Sequence, residues 1–236
     1  MTFNEYFLQA LKENGIEEFA PLAEKFRIYG SLLRETNEKY NLTAITDDCG
    51  MAYKHFADCL LAVKYFHEGA TVLDVGCGGG FPTLPLAIAR PDLQITAMDS
   101  TAKKLGFIEE VCRALGLTNV TTLCARAEEA GQGELRESFD IVTARAVARL
   151  NVLAEWCSPM VKVGGAFIAL KGKDGLSELA EAKNAFSVLK LSGEGEEYFL
   201  QSPEGEQARC VITAKKIGAT PAGYPRNGGK IKKKPL

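Results

Sequence analysis

Apolar residues recur at helical spacing through the first quarter of the chain. Intervals of four and three residues put side chains on one face of a helix. The clearest stripe of this kind consists of Leu22, Phe26, Tyr29, Leu33, Thr36 and Tyr40. Shorter stripes flank it: Phe3, Phe7 and Leu11 before it, and Met51, His55, Cys59, Val63 and Phe66 after it. We therefore predict an N-terminal helical subdomain over residues 1–68, with a turn at 41–48.

From residue 69 onward, short apolar runs alternate with helical stretches. Predicted strands cover 71–75, 94–99, 120–124, 139–143 and 166–171, and predicted helices cover 83–90, 102–115, 147–161 and 174–189. Such alternation is typical of a parallel sheet with both faces covered. Two last strands, near 196–201 and 208–216, are separated by a Ser-Pro-Glu-Gly turn and should pair antiparallel. The sequence predicts an α/β domain over 69–218, whose mostly parallel seven-stranded sheet ends in an antiparallel hairpin.

A glycine-dense turn follows the first predicted strand. Val72–Pro82 reads V-L-D-V-G-C-G-G-G-F-P, and an apolar, alanine-rich helix is predicted after it. A strand, a glycine turn and a helix bring a nucleotide-like ligand against bare backbone. Dinucleotide-binding proteins use G-x-G-x-x-G, whereas here the glycines are Gly76, Gly78 and Gly80, with Asp74 ahead of them. This spacing resembles the first motif of the Rossmann-like S-adenosylmethionine-dependent methyltransferases; a turn that binds nothing is the alternative.

The end of the second predicted strand carries an acidic residue suited to a nucleoside. Open α/β sheets bind ligands at the carboxyl ends of their strands. Asp99 lies 23 positions after Gly76, about the interval at which an acid accepts both ribose hydroxyls. The alternative is that Asp99 caps the next helix, a role that Ser100 or Thr101 could equally fill.

The third and fourth predicted strands complete this edge of the sheet. After the third strand, the backbone of Ala127 and the carboxylate of Glu128 are placed to meet the edge of an adenine ring. The fourth ends in T-A-R-A at 143–146, without the (Asp/Asn)-Pro-Pro-aromatic motif of methyltransferases that act on exocyclic amines. A ring nitrogen such as N7 of guanine has an in-plane lone pair and no proton. Its methylation demands alignment above all, so transfer without an obligatory general base is expected.

Several segments together resemble the bacterial 16S rRNA guanine 7-methyltransferase family, also called the glucose-inhibited division protein B family. The similar segments are Y-N-L-T-A-I (40–45), K-H-F-A-D-C-L (54–60), the glycine turn and its helix (73–91), D-S-T-A-K-K (99–104), R-A-E-E (126–129), F-D-I-V-T-A-R-A (139–146), A-L-K-G (169–172) and Y-P-R…K-K-P-L (224–236). The glycine turn identifies only the class. Y-N-L-T, the A-R-A turn and the Y-P-R tail are specific to the family.

The resemblance implies methylation of one guanine in the decoding-region loop of 16S rRNA, with S-adenosylmethionine as donor. It implies donor contacts at Gly76, Phe81, Asp99, Ser100, Thr101, Ala127, Glu128 and Arg145; Gly78 and Gly80 join them as members of the glycine turn. Phe81 and Thr83 stand where relatives often have Leu and Gly, and we expect them to change the shape of the turn more than its chemistry.

Charge is distributed unevenly along the chain. The net charge is −2, yet eight of the 28 basic residues and no acidic residue lie between Gln207 and Leu236. A basic tail over 219–236 on an acidic body gives a focused positive field rather than a general polyanion-binding surface; a disordered, solubilising terminus is the alternative. The partner that the resemblance implies is 16S rRNA or a small-subunit precursor. The predicted RNA contacts are Lys171, Arg226, Lys230, Lys232, Lys233 and Lys234.

Composition narrows the remaining functions. Seven cysteines without a C-x-x-C pair and two histidines argue against a zinc site and a disulfide framework, so no metal is expected. No apolar run is long enough for a membrane span, and no signal peptide is predicted. We expect a cytoplasmic monomer. The competing functions are a small-molecule methyltransferase, a non-catalytic RNA-binding protein and, less in keeping with the glycine spacing, a nicotinamide-dependent oxidoreductase.

No catalytic residue is assigned from the sequence, and three side chains are positioning candidates. His55 and Asp58, three residues apart on one helix, could face the target base or each other. Lys171 should face the site from the end of its strand. Arg145 could hold the donor carboxylate, stack on the base or bind phosphate. Tyr224 could stack on a base, while Trp156 and Phe167 are assigned to the core.

Overall fold

A computed structural model describes all residues, 1–236. Seven strands form one sheet in the order β3-β2-β1-β4-β5-β7-β6. The strands are β1 Thr71–Val75, β2 Gln94–Asp99, β3 Val120–Cys124, β4 Phe139–Arg145, β5 Val161–Gly172, β6 Leu191–Leu200 and β7 Gln207–Lys216. β1 to β5 pair in parallel, whereas β7 pairs antiparallel with both β5 and β6. The predicted sheet and its antiparallel hairpin are confirmed.

Two strands begin earlier than the sequence predicts. β5 starts at Val161 rather than 166, because the ladder continues across Gly164 and Gly165 despite a register shift opposite Phe139 and Ile141. β6 starts at Leu191 rather than 196, and its polar first half pairs with the second half of β7. That half contains two glycines, Gly193 and Gly195, which are covered by side chains of neighbouring helices. Because the covering side chains belong to other elements, the sequence of β6 itself shows no apolar pattern there.

Helices cover both faces of the sheet. Their bounds are α1 Phe3–Glu13, α2 Ala23–Asn37, α3 Asp48–Gly50, α4 Asp58–Leu60, α5 Thr83–Ala89, α6 Ala102–Leu115, α7 Ala127–Ala130, α8 Leu150–Cys157, α9 Gly175–Glu181, α10 Lys183–Val188 and α11 Gly228–Lys233. The predicted helix 147–161 is shorter, since Pro159 lies in a 3-10 turn, Ser158–Met160. The predicted helix 174–189 is two helices, α9 and α10, that meet at Ala182.

The N-terminal helices begin at a well-formed cap and lead to an unusual segment. Thr2 and Glu5 form a capping box at the start of α1. Between α3 and α4, Met51–Ala57 forms a π-helix, a rare geometry that often occurs near functional sites. The predicted turn lies between α2 and α3. There the Asn37 side-chain oxygen accepts from the backbone N–H groups of Leu42 and Thr43, at 2.7 and 3.0 Å.

Two apolar clusters lie on opposite faces of the sheet. Successive side chains of a strand point to opposite faces, so Val72 of β1 belongs to one cluster and Leu73 to the other. The first cluster also holds Phe7, Phe26 and Phe56 from the N-terminal helices. The helices before residue 69 therefore share a core with the sheet, and the division at residue 68 remains a prediction. Every helix is too short or too polar to cross a bilayer.

The C-terminal segment is folded against the sheet domain. The Arg136 guanidinium donates to the carbonyls of Tyr224 and Thr220 at 2.7 and 2.6 Å. Arg226 donates from its backbone N–H, Nε and Nη2 to the carboxylate of Glu155, which is fully buried. These contacts, with the buried Ile231 of α11, make the terminus an ordered part of the fold rather than a disordered tail.

Candidate functional site

A cavity of about 920 Å³ opens at the carboxyl ends of β1 to β4. This volume is near the upper end of the range of small-molecule sites, roughly 300–1,000 Å³. Its lining comes from the glycine turn, the ends of the strands, the loop after α2, the π-helix and α11. The sequence predicts a ligand at the strand ends, and the cavity lies there.

The glycine turn forms the floor of this cavity. Gly76 and Gly78 have φ angles of +76° and +55°, a region that favours glycine. A Cβ on Gly76 would lie 2.9 Å from the Val147 side chain, so this position needs glycine for space as well. Gly80 does not line the cavity: a Cβ there would meet Leu84, at 2.5 Å, on the helix side. Gly80 thus packs against α5, while Gly79 lines the cavity; a ligand contact at Gly80 stays a prediction.

Asp74 and Thr83 hold the turn from below. The fully buried Asp74 carboxylate accepts from Thr83 Oγ1 at 2.6 Å and from the Thr83 backbone N–H at 3.3 Å. Burial raises the pKa of Asp74 to about 7, against the lowering effect of these hydrogen bonds. Thr83, which stands where relatives often have Gly, is thus the only residue whose side chain donates a hydrogen bond to Asp74.

Asp99 faces the cavity from the end of β2 and is 7% exposed. Its carboxylate accepts from the backbone N–H groups of Thr101 at 2.9 Å and Gly78 at 3.2 Å, and Lys104 Nζ lies 3.5 Å away. Ser100 and Thr101 also line the cavity. Asp99 thus faces the cavity and bonds the backbone just before α6; the N-cap residue of that helix is Thr101, whose side chain forms no capping hydrogen bond.

The opposite end of the cavity is formed by α7 and the C-terminal segment. Ala127 and Glu128 line it from α7, while Gly228, Gly229 and Lys232 line it from α11. A Cβ on Gly228 would overlap Glu128 Oε1, so this close approach requires glycine.

Arg145, Phe81 and His55 form the third side. The Arg145 guanidinium lies 5.6 Å from the centre of the Phe81 ring, and the His55 ring stacks on Phe81 with centroids 4.2 Å apart. His55 does not bond to Asp58; its Nε2 pairs with Thr43 Oγ1 at 2.7 Å. Burial, followed by the charge of Arg145, lowers the pKa of His55 to about 3. His55 is therefore neutral at physiological pH.

Two of the predicted RNA contacts are engaged elsewhere. Lys171 is 7% exposed on its side chain, pairs with Glu178 at 2.7 Å and donates to the Ala148 carbonyl at 2.9 Å. Lys171 is not among the residues that line the cavity, and its ammonium faces α9; its contact with RNA stays a prediction. Arg226 is held by Glu155, with 21% of its side chain exposed. The four lysines of the C-terminus are exposed and form no ion pair: Lys230, Lys232, Lys233 and Lys234.

Several lining residues could not be found from the sequence. Leu42 and Thr43 belong to the Y-N-L-T segment, to which the family resemblance gives no role. Trp156 was assigned to the core, yet it is half-buried and lines the cavity, while Phe167 is fully buried as expected. Tyr224 is half-buried beside the Arg226 guanidinium, 5.8 Å from its ring centre. No cluster of His, Cys, Asp or Glu side chains is arranged to hold a metal ion.

Solved structures identify the class to which this arrangement belongs. A predicted O-methyltransferase from Agrobacterium tumefaciens aligns with a TM-score of 0.55 and 18% identity, over 69% of this chain and 82% of its own. An S-adenosylmethionine-dependent O-methyltransferase from Thermotoga maritima aligns with a TM-score of 0.53 and 16% identity, over 80% of this chain and 73% of its own. The fold is that of the Rossmann-like methyltransferases.

Sequence comparison identifies the family. The model of the GidB family, rRNA small subunit methyltransferase G, matches residues 22–202. A ribosomal RNA small subunit methyltransferase G of Clostridium perfringens is 45% identical over the full length of both chains. Its counterpart in Macrococcus caseolyticus is 46% identical over 98% of this chain and 97% of its own. The protein belongs to the rRNA small subunit methyltransferase G family, as the resemblance of its motifs indicated.

Proposed function

We propose that this protein transfers a methyl group from S-adenosylmethionine to N7 of a guanine in the decoding-region loop of 16S rRNA. The observation that carries the proposal is the cavity at the strand ends, with bare glycine backbone on its floor, in a chain whose full-length relatives are named as small-subunit rRNA methyltransferases. The substrate is 16S rRNA or a small-subunit precursor. The working form is a cytoplasmic monomer.

The cavity residues fit the donor by their chemistry. The left-handed glycines Gly76 and Gly78 leave backbone without a Cβ, against which a flat or flexible ligand can pack. Asp99 offers a nearly buried carboxylate to two hydroxyls, and Glu128 a carboxylate to the amino edge of adenine. Phe81 and Arg145 line the end that remains for the amino-acid part of the donor. When bound, S-adenosylmethionine supplies a sulfonium methyl group that a nucleophile can displace.

The protein's role toward the acceptor is alignment and charge control. Guanine N7 has an available lone pair and no proton, so no side chain has to act as a base. Methylation leaves positive charge on the base, and His55, neutral because of its lowered pKa, adds none beside the site. The cavity wall formed by Thr43 and His55 is the side that donor-binding residues leave free for the acceptor. Orientation of this kind is what converts a slow bimolecular transfer into a fast one.

A labelled-methyl assay tests the proposal. Purified protein is incubated with methyl-labelled donor and either unmethylated 16S rRNA or small subunits from cells that lack the modification. Digestion to nucleosides and mass spectrometry should detect label in 7-methylguanosine alone. Label in another nucleoside, or on a small molecule and not on rRNA, contradicts the proposal.

The Asp99→Ala variant tests the donor site within the same assay. Removal of a bidentate hydrogen bond to the ribose should weaken donor binding by about tenfold or more, with rRNA affinity unchanged. Calorimetry with S-adenosylhomocysteine and a filter-binding measurement with rRNA give the two affinities. Equal losses in both would count against the assignment of Asp99 to the donor.

A further inference from the structure

A compact group of three charged side chains lies under the Arg145 side of the cavity. Asp58 of α4 is 5% exposed and is shared by two guanidinium groups. Its Oδ2 accepts from Arg145 Nη2 at 2.8 Å, and its Oδ1 accepts from Arg209 Nε at 2.9 Å. The group joins three distant parts of the chain: the N-terminal helices, the end of β4, and β7 of the antiparallel hairpin.

Arg209 determines how Asp58 contacts Arg145. A carboxylate with both oxygens available commonly pairs with both nitrogens of a guanidinium edge. Here Arg209 occupies one oxygen, so Asp58 contacts Arg145 through the other alone. The same Nη2 also donates to the Lys54 carbonyl at 2.6 Å. Arg145 is therefore fixed at one nitrogen, by a side chain and a backbone group.

Two other nitrogens of the Arg145 guanidinium have almost no partner. Its Nη1 has one weak contact, the sulfur of Cys59 at 3.6 Å, and its Nε forms no hydrogen bond. Only 15% of the side chain is exposed, and Arg145 lines the cavity. A buried guanidinium with free N–H groups is costly unless an acceptor reaches it, so these N–H groups are suited to an oxygen ligand within the cavity.

Charge specifies the kind of ligand. Two guanidinium groups and one carboxylate carry a net positive charge, and all three side chains are at most 18% exposed. The nearby Asp74 offsets this charge only in part, because burial raises its pKa to about 7. The unpaired charge faces the end of the cavity that the amino-acid part of the donor would occupy. A carboxylate matches the free N–H groups in charge, and one of its oxygens can accept from Nη1 or from Nε.

We propose that Asp58 and Arg209 are positioning residues, which hold Arg145 with its Nε and Nη1 N–H groups free to bind the carboxylate of the methyl donor. This inference rests on the proposed function, since it takes S-adenosylmethionine as the donor. Asp58 fixes the guanidinium through Nη2, and Arg209 keeps the second oxygen of Asp58 from bonding Nη1 or Nε. Neither residue touches the donor.

A pair of ligands isolates this role. The full-length protein is titrated by calorimetry with S-adenosylhomocysteine and with its decarboxylated analogue. For Asp58→Asn, we expect the dissociation constant of S-adenosylhomocysteine to rise about tenfold or more, while that of the analogue changes less than about twofold. For Arg209→Gln, Asp58 can turn both oxygens to Arg145, and we expect a smaller loss, again confined to the ligand with a carboxylate.

The outcomes separate positioning from a purely structural role. Equal weakening of both ligands, or no weakening of either, in a folded variant overturns the proposal. If Asp58→Asn fails to fold by circular dichroism, Arg209→Gln decides alone, since Asp58 then keeps one partner. Arg27→Gln, which removes an exposed guanidinium paired with Glu24, is the matched control and should change neither constant.

The proposed function can fail separately from this inference. If the unaltered protein binds neither ligand, the methyl donor is wrongly identified. If it binds S-adenosylhomocysteine and methylates rRNA, yet its preference over the decarboxylated analogue is the same in all variants, only the positioning role is wrong.

Discussion

The ion pair between Glu155 and Arg226 offers a sharp test of how the C-terminal segment is held. Glu155 is fully buried, whereas 21% of the Arg226 side chain is exposed. Removing one partner of a buried pair costs about 3–5 kcal/mol, because the other charge is left without compensation. The two partners should not be equivalent. Arg226 can reach water when Glu155 is changed, but Glu155 cannot when Arg226 is changed.

We therefore expect Arg226→Met to destabilise the protein more than Glu155→Gln. A loss of about 3 kcal/mol corresponds to a fall in melting temperature of about 6–12 °C for a chain of this size. In Arg226→Met, the Glu155 carboxylate stays buried without the guanidinium that pairs with it.

Calorimetric melting of the two variants measures both losses. The matched control is Arg149→Met, which breaks the exposed pair with Glu181 and should leave the melting temperature nearly unchanged. Equal losses for Arg226→Met and Glu155→Gln would refute the reasoning from unequal burial.

Three further outcomes follow from the cavity and its surroundings. Gly76→Ala should lower the affinity for S-adenosylhomocysteine by about tenfold or more, because its Cβ would meet Val147. Gly69→Ala, at a similar φ but in open space, is the control and should leave that affinity unchanged. Changing Lys230, Lys233 and Lys234 together to Glu should weaken rRNA binding and leave donor affinity intact. The slope of log affinity against log salt should flatten by about 0.7 for each single-strand phosphate that these lysines neutralise. An unchanged slope would show that these lysines do not contact the RNA. Burial raises the pKa of Asp74 to about 7, so the native state binds the proton more tightly than the unfolded chain, and stability should decline as pH rises from about 4 towards 7. A series of melting curves on Asp74→Asn should lack this decline. An unaltered decline would contradict the raised pKa.

The strands were predictable wherever their own residues are apolar. The bounds of β1, β2 and β3 agree with the sequence prediction, because each of these strands is a short run set off by turns. The first half of β6 could not be found in this way. Its residues are mostly small or polar, and the apolar surface that covers it comes from Phe186 of α10 and Leu176 of α9. Packing against other elements, rather than the local sequence, determines that this segment is a strand, as it often does for β-structure.

The site divides along the same line. Residues that follow a strand directly, such as Asp99 and Ala127, lie at the cavity because the topology puts every parallel strand end at one edge. Lys171 follows the same rule in sequence, but Glu178 on the next helix draws its ammonium away. Thr43 and Lys232 reach the cavity from parts of the chain far from any strand end. No local sequence pattern predicts such long-range contacts.

The central position of β1 has a consequence for motion. β1 is paired on both sides and its side chains serve both apolar clusters, so its amide hydrogens should be among the last to exchange with deuterium. The loop after α2 and the segment that carries α11 form cavity walls outside the sheet, and their amides should exchange sooner. Small molecules could then enter and leave by local opening of the walls, while the glycine floor attached to β1 keeps its shape.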